Sequence, residues 1–185
     1  MNDTLRTIAQ RRSFRQFKKE QIRDDELQAI LDAGLQAPSG HNDQSWYLTV
    51  IQNRERNDQI SDGSKQEMLK LPVDWMVQIG KNENFHIFYH APTVILVAAR
   101  EDAISPIADA CAAIENMLIA AESLGMGSCW IDFARLYFTS PERYREVGIP
   151  EGYKVHYSVA LGYKPDGLQP NPRQMKRDHY FHIIK

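Results

Sequence analysis

The chain of 185 residues is poor in cysteine, holding Cys111 and Cys129 alone. These form neither a CxxC pair nor a disulfide framework, so a reducing compartment, the cytoplasm, is the expectation. An excess of charge of one sign is also missing. The 22 basic residues face 24 acidic ones, and no bulk field recruits nucleic acid or an anionic membrane. Long apolar runs are absent too. The longest apolar stretch, 107–124, is interrupted by Asp109, Glu115, Asn116 and Glu122, which excludes a membrane span. The opening MNDTLRTIAQRR lacks the apolar core of a signal peptide. No Walker A, GxSxG or HExxH pattern occurs, and there is no internal repeat or low-complexity segment.

What is present suffices for one domain with a real core: 43% of the residues are hydrophobic. Asp3 to Arg11 predicts a short helix with Leu5 and Ile8 on one side. RDDELQAILDAGLQA predicts a second, with Asp24 as cap, Leu27, Ile30, Leu31 and Gly34 on one face, and Pro38 just past its end. WYLTVIQ reads as a strand over 46–52. Residues 53–71 are polar and helical in character, stopped by Pro72, whereas 73–90 carry Trp75, Phe85, Phe88 and Tyr89 without a clear period. APTVILVAA reads as a buried strand.

The longest predicted helix runs over 104–124. Ile107, Cys111, Ile114, Leu118 and Ala121 follow helical spacing, and alanines fill its other sides, so it is expected to be buried on more than one side. Gly125 ends it. GSCWIDF predicts a strand, TSPERYREVG a helix capped by Ser140 with Pro141 in its first turn, and the alternation in YKVHYSVALGY a further strand. From Pro165 on, three prolines precede basic residues and an apolar YFHII, a tail expected to pack against something. The expectation is a single α+β domain, with 1–164 as core and 165–185 as an extended arm.

Four segments could carry chemistry. RRSFRQF places Arg11, Arg12 and Arg15 around Ser13 just after a helix; arginine forks match phosphate oxygens, although an isolated basic run is more often a solvated turn. APSGHNDQSW spends ten residues between a helix and a strand, more than such a connection needs, and offers Ser39, Asn42 and Gln44 on a backbone shaped by Pro38 and Gly40. GMGSCWID contains a GxG, but its glycines follow a helix and no third glycine opens another, so a dinucleotide fingerprint is rejected in favour of a helix cap and a buried strand start. PRQMKRDHY carries Arg173, Lys176 and Arg177 and leads into the apolar end. His86 and His90 stand four apart, as two imidazoles on one helical face would, but no carboxylate or cysteine joins them at ligand spacing, so no metal site is expected. Cys129 beside Trp130 reads as a buried small residue.

Taken in order, these segments resemble the FMN-dependent nitroreductase family over nearly the whole chain. RRSFRQF and APSGHNDQSW carry most of the resemblance; APTVILVA, the helix ending SLGMGSCWI, the strand VALGY before a proline-rich arm, and the terminal basic cluster support it. The resemblance implies an α+β, nitroreductase-like fold: a central, mostly antiparallel sheet flanked by helices, with a C-terminal arm exchanged in a homodimer. It implies FMN at the subunit interface. Arg11, Ser13 and Arg15 resemble the positions that hold the phosphate and the flavin's pyrimidine edge, with Arg12 against the cofactor. Pro38, Ser39, Gly40 and Asn42 resemble a loop that reaches FMN from the second subunit, and Asn84 resembles a flavin-contacting asparagine. Cys129, Trp130, Ile131 and Asp132 match a stretch whose backbone lines one flavin face, and Lys176 and Arg177 the basic pair at the phosphate, with Arg173 as a substitute. Ser45 departs from the family, standing where proline usually precedes the tryptophan, which implies a differently shaped loop.

The implied activity is that of an NAD(P)H-dependent oxidoreductase. FMN carries the hydride while the protein supplies position and electrostatics, and acceptors such as nitroaromatics or quinones follow the nicotinamide onto the same flavin face. Two other readings stand beside it: a specialised relative with dehalogenating or flavin-converting chemistry, and a flavin-binding protein without turnover.

Overall fold

The computed structural model describes residues 1–168 and 182–184. Four strands form one sheet in the order β1-β2-β4-β3: β1 (Trp46–Ile51), β2 (Thr93–Arg100), β3 (Met126–Ile131) and β4 (Tyr153–Tyr163). Every neighbouring pair is antiparallel, as expected from the resemblance. Among the described residues six α-helices accompany the strands: α1 (Asp3–Gln10), α2 (Asp24–Leu35), α3 (Arg54–Met68), α4 (Asp74–Lys81), α5 (Pro106–Ser123) and α6 (Pro141–Arg145).

The sheet is covered on both faces, which explains why β2 is an unbroken apolar run rather than an alternating one. Its side chains still alternate in direction. Val94, Leu96 and Ala98 face one core together with Ile60 and Met68 of α3. Ile95, Val97 and Ala99 face the other, with Ile30 of α2 and Ile114, Met117 and Leu118 of α5. Full burial of each large aliphatic side chain contributes about 1.5–3 kcal/mol. Helices α2 and α5 approach closely because Gly34 has no side chain: a Cβ there would lie 2.8 Å from Met117 Cγ.

Several expectations need correction. Arg23 rather than Asp24 occupies the N-cap of α2, and the Glu26 carboxylate accepts the Arg23 backbone N–H at 3.2 Å. The buried stripe of α5 runs through Ala110, Ala113, Ile114, Met117, Leu118 and Ala121, while Ile107 is 52% exposed. The helix expected from TSPERYREVG spans only Pro141–Arg145, with Ser140 at the cap position. Residues 73–90, which gave no period, hold α4 and then a tight turn in which Tyr89 and His90 both take left-handed backbone angles (φ 53° and 54°).

Candidate active site

The segment after α1 is extended and lies along the sheet. Ser13 bridges to Ser128 in parallel fashion, the Phe14 N–H donates to the Ser128 carbonyl at 2.9 Å, and the Lys18 N–H donates to the Tyr163 carbonyl at 3.0 Å. Alternation follows from that geometry: Phe14 is buried, while Ser13 and Arg15 point outward. Two glycines make room for it. A Cβ at Gly127 would lie 3.0 Å from Phe14 Cβ; one at Gly162 would lie 2.8 Å from Pro92 Cδ and 3.2 Å from Phe17 Cδ1. Of the GxG in GMGSCW, Gly127 therefore serves packing, while Gly125, with φ of 77° and nothing within 4 Å of an added Cβ, ends α5, in keeping with the rejection of a dinucleotide fingerprint.

The three arginines of this segment have different surroundings. Arg11 is mostly buried, with Nε 3.5 Å from Glu115 Oε1 on α5. Arg12 turns back on its own helix, where Nη1 donates to the Ala9 and Arg11 carbonyls at 2.7 Å each and so satisfies acceptors left open at the end of α1. Arg15 is exposed; its Nε donates to the Tyr89 hydroxyl at 3.2 Å, and its guanidinium carbon stands 5.8 Å from the centre of the Tyr89 ring. Among the described residues it forms no ion pair.

Arg15 and Asn84 line the same cleft, of about 660 Å³, together with Lys19, Arg54, Asp58, Phe85, His86 and Tyr89. The structure thus brings together two positions 69 residues apart that were singled out for one cofactor. Aromatic rings continue from this wall: Tyr89 meets Phe85 edge-on at 5.8 Å, Phe85 meets Phe133 at 6.4 Å, and Phe133 meets the exposed Trp75 of α4 at 6.2 Å.

His86 and His90 do not share a helical face. They lie in the turn after α4, rings tilted by 33° with centres 4.2 Å apart. A carboxylate does join them: Asp58 of α3 places Oδ1 3.1 Å from His86 Nε2, and one ligand atom from each of the three residues lies within 4.8 Å of the others. The hydrogen bonding argues for a proton there rather than a metal. His86 Nδ1 accepts the Phe88 N–H at 3.1 Å and the His90 N–H at 3.3 Å. That leaves the proton on Nε2, pointing at Asp58. A metal on Nε2 would force a proton onto Nδ1, against two N–H donors. Burial holds His86 below its ordinary pKa; His90 adds to this and Asp58 opposes it.

Of the β3 stretch, Cys129 and Ile131 are buried on the α3 side of the sheet. Trp130 packs on the α5 side, edge-on to Tyr157 at 5.2 Å, and Asp132 is paired with Arg135 at 2.7 Å. Burial raises the Cys129 pKa above the ordinary thiol value, with Arg15, Ser13 and Arg11 pulling the other way, so the thiol is the inert kind.

The polar loop has its own anchor. The Gly40 N–H donates to Asp109 Oδ1 at 2.9 Å, the Ser39 hydroxyl accepts the Gln44 N–H at 2.9 Å, and Asn42 Oδ1 accepts Gln44 Nε2 at 3.1 Å. A Cβ at Gly40 would lie 3.1 Å from Ser105 Oγ. Pro38, Ser39, Gly40 and Asn42 are thus held at the start of α5, and none of them lines the cleft of Arg15 and Asn84. Within one chain the loop and that cleft are separate. Arg173, Lys176 and Arg177 lie outside the described residues. Asp58 escaped the sequence reading altogether, while His86 and Tyr89 stood out only as half of a histidine pair and as one of several aromatics, without the contacts that join them to Asp58 and Arg15.

An antiparallel sheet packed on both faces, with an arginine-bearing segment along β3 and a basic, aromatic-walled cleft beside it, defines an α+β protein with one candidate site in that cleft. The Nitroreductase family model matches residues 8–163. The structure is similar to a nitroreductase from Bacteroides fragilis solved with bound FMN, at TM-score 0.93 and 34% identity over 100% of both chains. It is similar to a second, from Desulfitobacterium hafniense, also solved with FMN, at TM-score 0.89 and 30% identity, again over 100% of both. In sequence the chain is 27% identical to an FMN reductase [NAD(P)H] of Bacillus subtilis, over 94% of this chain and 70% of that one. The chain belongs to the nitroreductase family.

Proposed function

We propose that this chain binds FMN and is an NAD(P)H-dependent FMN oxidoreductase that passes reducing equivalents to nitroaromatic, quinone or similar acceptors. The observation that supports it most is the exposed guanidinium of Arg15, without an acidic partner among the described residues, in one cleft with Asn84. The donor set fits the cofactor: a cation and an amide suit the flavin's polar pyrimidine edge, and Arg11 and Ser13 lie next to Arg15 along the segment for the phosphate. The relatives solved with FMN agree with it. FMN, when bound, supplies the hydride chemistry. The chain's own residues bind and orient: Arg15 places positive charge where reduction adds negative charge, and the aromatic wall offers stacking surface to flat substrates.

Donor and acceptor would occupy this cleft in turn, so turnover is ping-pong. Lys176 and Arg177 are assigned to the phosphate, and the loop 38–42 to the site of a second subunit, which makes the protein a homodimer with 165–185 as an arm on the partner. Two free thiols, Cys111 and Cys129, suit the cytoplasm, and no helix among the described residues is long and apolar enough to cross a membrane. The test is anaerobic mixing of the yellow holoprotein with NADH or NADPH, followed by an acceptor panel. Bleaching of the flavin band and its recovery on adding acceptor are expected, with parallel double-reciprocal plots. Colourless protein that takes up no FMN would overturn the reading, and intersecting plots would overturn the ping-pong order.

A further inference from the structure

The turn at 86–90 is unusual in carrying two consecutive non-glycine residues, Tyr89 and His90, in the left-handed region, a conformation that costs free energy and persists only when its surroundings over-determine it. Those surroundings are visible. The His86 ring accepts two backbone N–H groups of the turn, at 3.1 and 3.3 Å, and is itself tied to Asp58 on α3 at 3.1 Å. The Ile87 N–H is held by the Ser61 hydroxyl of the same helix at 3.1 Å. Phe88 and Ile87 are fully buried beneath it. All of this fixes one exposed-side product: the Tyr89 ring, braced edge-on by Phe85 at 5.8 Å, with its hydroxyl at Arg15 Nε. Among the described residues that hydroxyl is the hydrogen-bond partner of the Arg15 side chain, which is itself exposed.

We propose that Tyr89, held by the His86 turn, is a positioning residue for Arg15, fixing the guanidinium where it faces the cofactor's pyrimidine edge. The inference rests on the assignment of Arg15 to FMN made above. A long, exposed arginine loses side-chain freedom when it is held; the phenol supplies that restraint in advance, through a hydrogen bond to Nε with the guanidinium carbon 5.8 Å from the ring centre, leaving the two terminal nitrogens for the ligand. The strained turn is then explained by what it presents.

The experiment is the midpoint potential of bound FMN in the holoprotein, measured against reference dyes, for the wild type, Tyr89→Phe, Arg15→Gln and the double variant. Tyr89→Phe keeps the ring and the packing and removes the hydroxyl alone. Its expected effect is about a tenfold loss of preference for the reduced over the oxidised cofactor, a potential lower by about 30 mV. Arg15→Gln is expected to lower the potential further, and Tyr89→Phe to add nothing in that background. A wild-type potential in Tyr89→Phe, or an undiminished effect of Tyr89→Phe when Arg15 is already replaced, would overturn the inference while leaving the FMN reading intact. An Arg15→Gln variant with wild-type potential and FMN affinity would overturn the placement of Arg15 itself.

Discussion

Ser45 and Asp109 are 64 residues apart in the chain, yet the Ser45 hydroxyl donates to Asp109 Oδ2 at 2.7 Å while the other carboxylate oxygen takes the Gly40 N–H at 2.9 Å. Both side chains are buried. Ser45 is therefore a structural tie, joining the start of β1 to the first turn of α5 and drawing the polar loop onto that helix. Three of the loop's residues, His41, Asn42 and Gln44, take left-handed angles, and the tie helps to hold them there.

Replacing Asp109 by Ala should leave a buried hydroxyl and a backbone N–H without acceptors. Hydrogen bonds to a charged group are worth about 1.5–3 kcal/mol each, so a loss of about 3 kcal/mol in urea unfolding is expected, with a smaller loss for Asp109→Asn, which keeps one acceptor. Unchanged unfolding midpoints for both variants would show that the loop stands without this carboxylate.

Gly162 in β4 should not tolerate a methyl group. An added Cβ would lie 2.8 Å from Pro92 Cδ, a ring that cannot swing aside, and 3.2 Å from Phe17. Gly162→Ala should cost about 1–3 kcal/mol as an overpacked site. It should also weaken FMN binding, because Phe17 anchors the segment that carries Arg15. Fluorescence titration with FMN and urea unfolding measure the two effects. Gly148→Ala, in a turn with open space but φ of 70°, should destabilise through backbone strain alone and leave FMN affinity unchanged.

Stability should fall on mild acidification. Burial lowers the pKa of both His86 and His156 below the ordinary 6.5. The unfolded chain therefore takes up these protons first, and the stability tied to keeping the rings neutral is complete above 6.5 and lost as pH falls from there through the lower, folded-state values. For His86 the change is also geometric, since a proton on Nδ1 would face the Phe88 and His90 N–H groups. Urea midpoints should be level between pH 8 and pH 7 and decline between about pH 6.5 and pH 5. Replacing both histidines by glutamine should flatten that decline; an unaltered slope would assign it to other groups.

The sheet and its helices were legible because their signals are local. TVILVAA reads as a buried strand from its own residues, and both the small-residue richness of α5 and its glycine stop are visible in the chain. Which stripe of α5 is buried was not legible from hydrophobicity, since Ile107 is exposed while small Ala110 and Ala113 are buried where α2 and the sheet come close. The site divides the same way. Arg15 and the polar loop stand out by composition, whereas the tie of Asp109 to Ser45, the reach of Asp58 to His86 and the contact of Tyr89 with Arg15 join residues 28–74 apart. No spacing rule covers such pairs; only the packed sheet brings them together. The expected lack of a carboxylate near His86 failed for that reason.

The last expectation concerns assembly. Helix α1 buries none of its eight residues, although Leu5 and Ile8 lie one turn apart on it and are 54% and 46% exposed. Isolated helices this short do not hold together in water; capping by Asn2, whose Oδ1 accepts the Leu5 N–H at 2.9 Å, is worth about 1 kcal/mol at most sites and cannot compensate. Packing must come from elsewhere, and in the single chain α1 has α5 as its neighbour. On α5 itself Ile107 is also open, as is Ile104 just before it. Apolar side chains left bare on and beside two helices in contact are the mark of an interface. A second copy of the chain is the occupant that would also bring a loop 38–42 to the cleft of Arg15. Leu5→Glu with Ile8→Glu should therefore yield a monomer by light scattering, with FMN lost in parallel, while the single change Arg6→Glu on the same helix should do neither. A doubly substituted protein that stays dimeric and yellow would place the interface, and with it the shared site, elsewhere on the molecule.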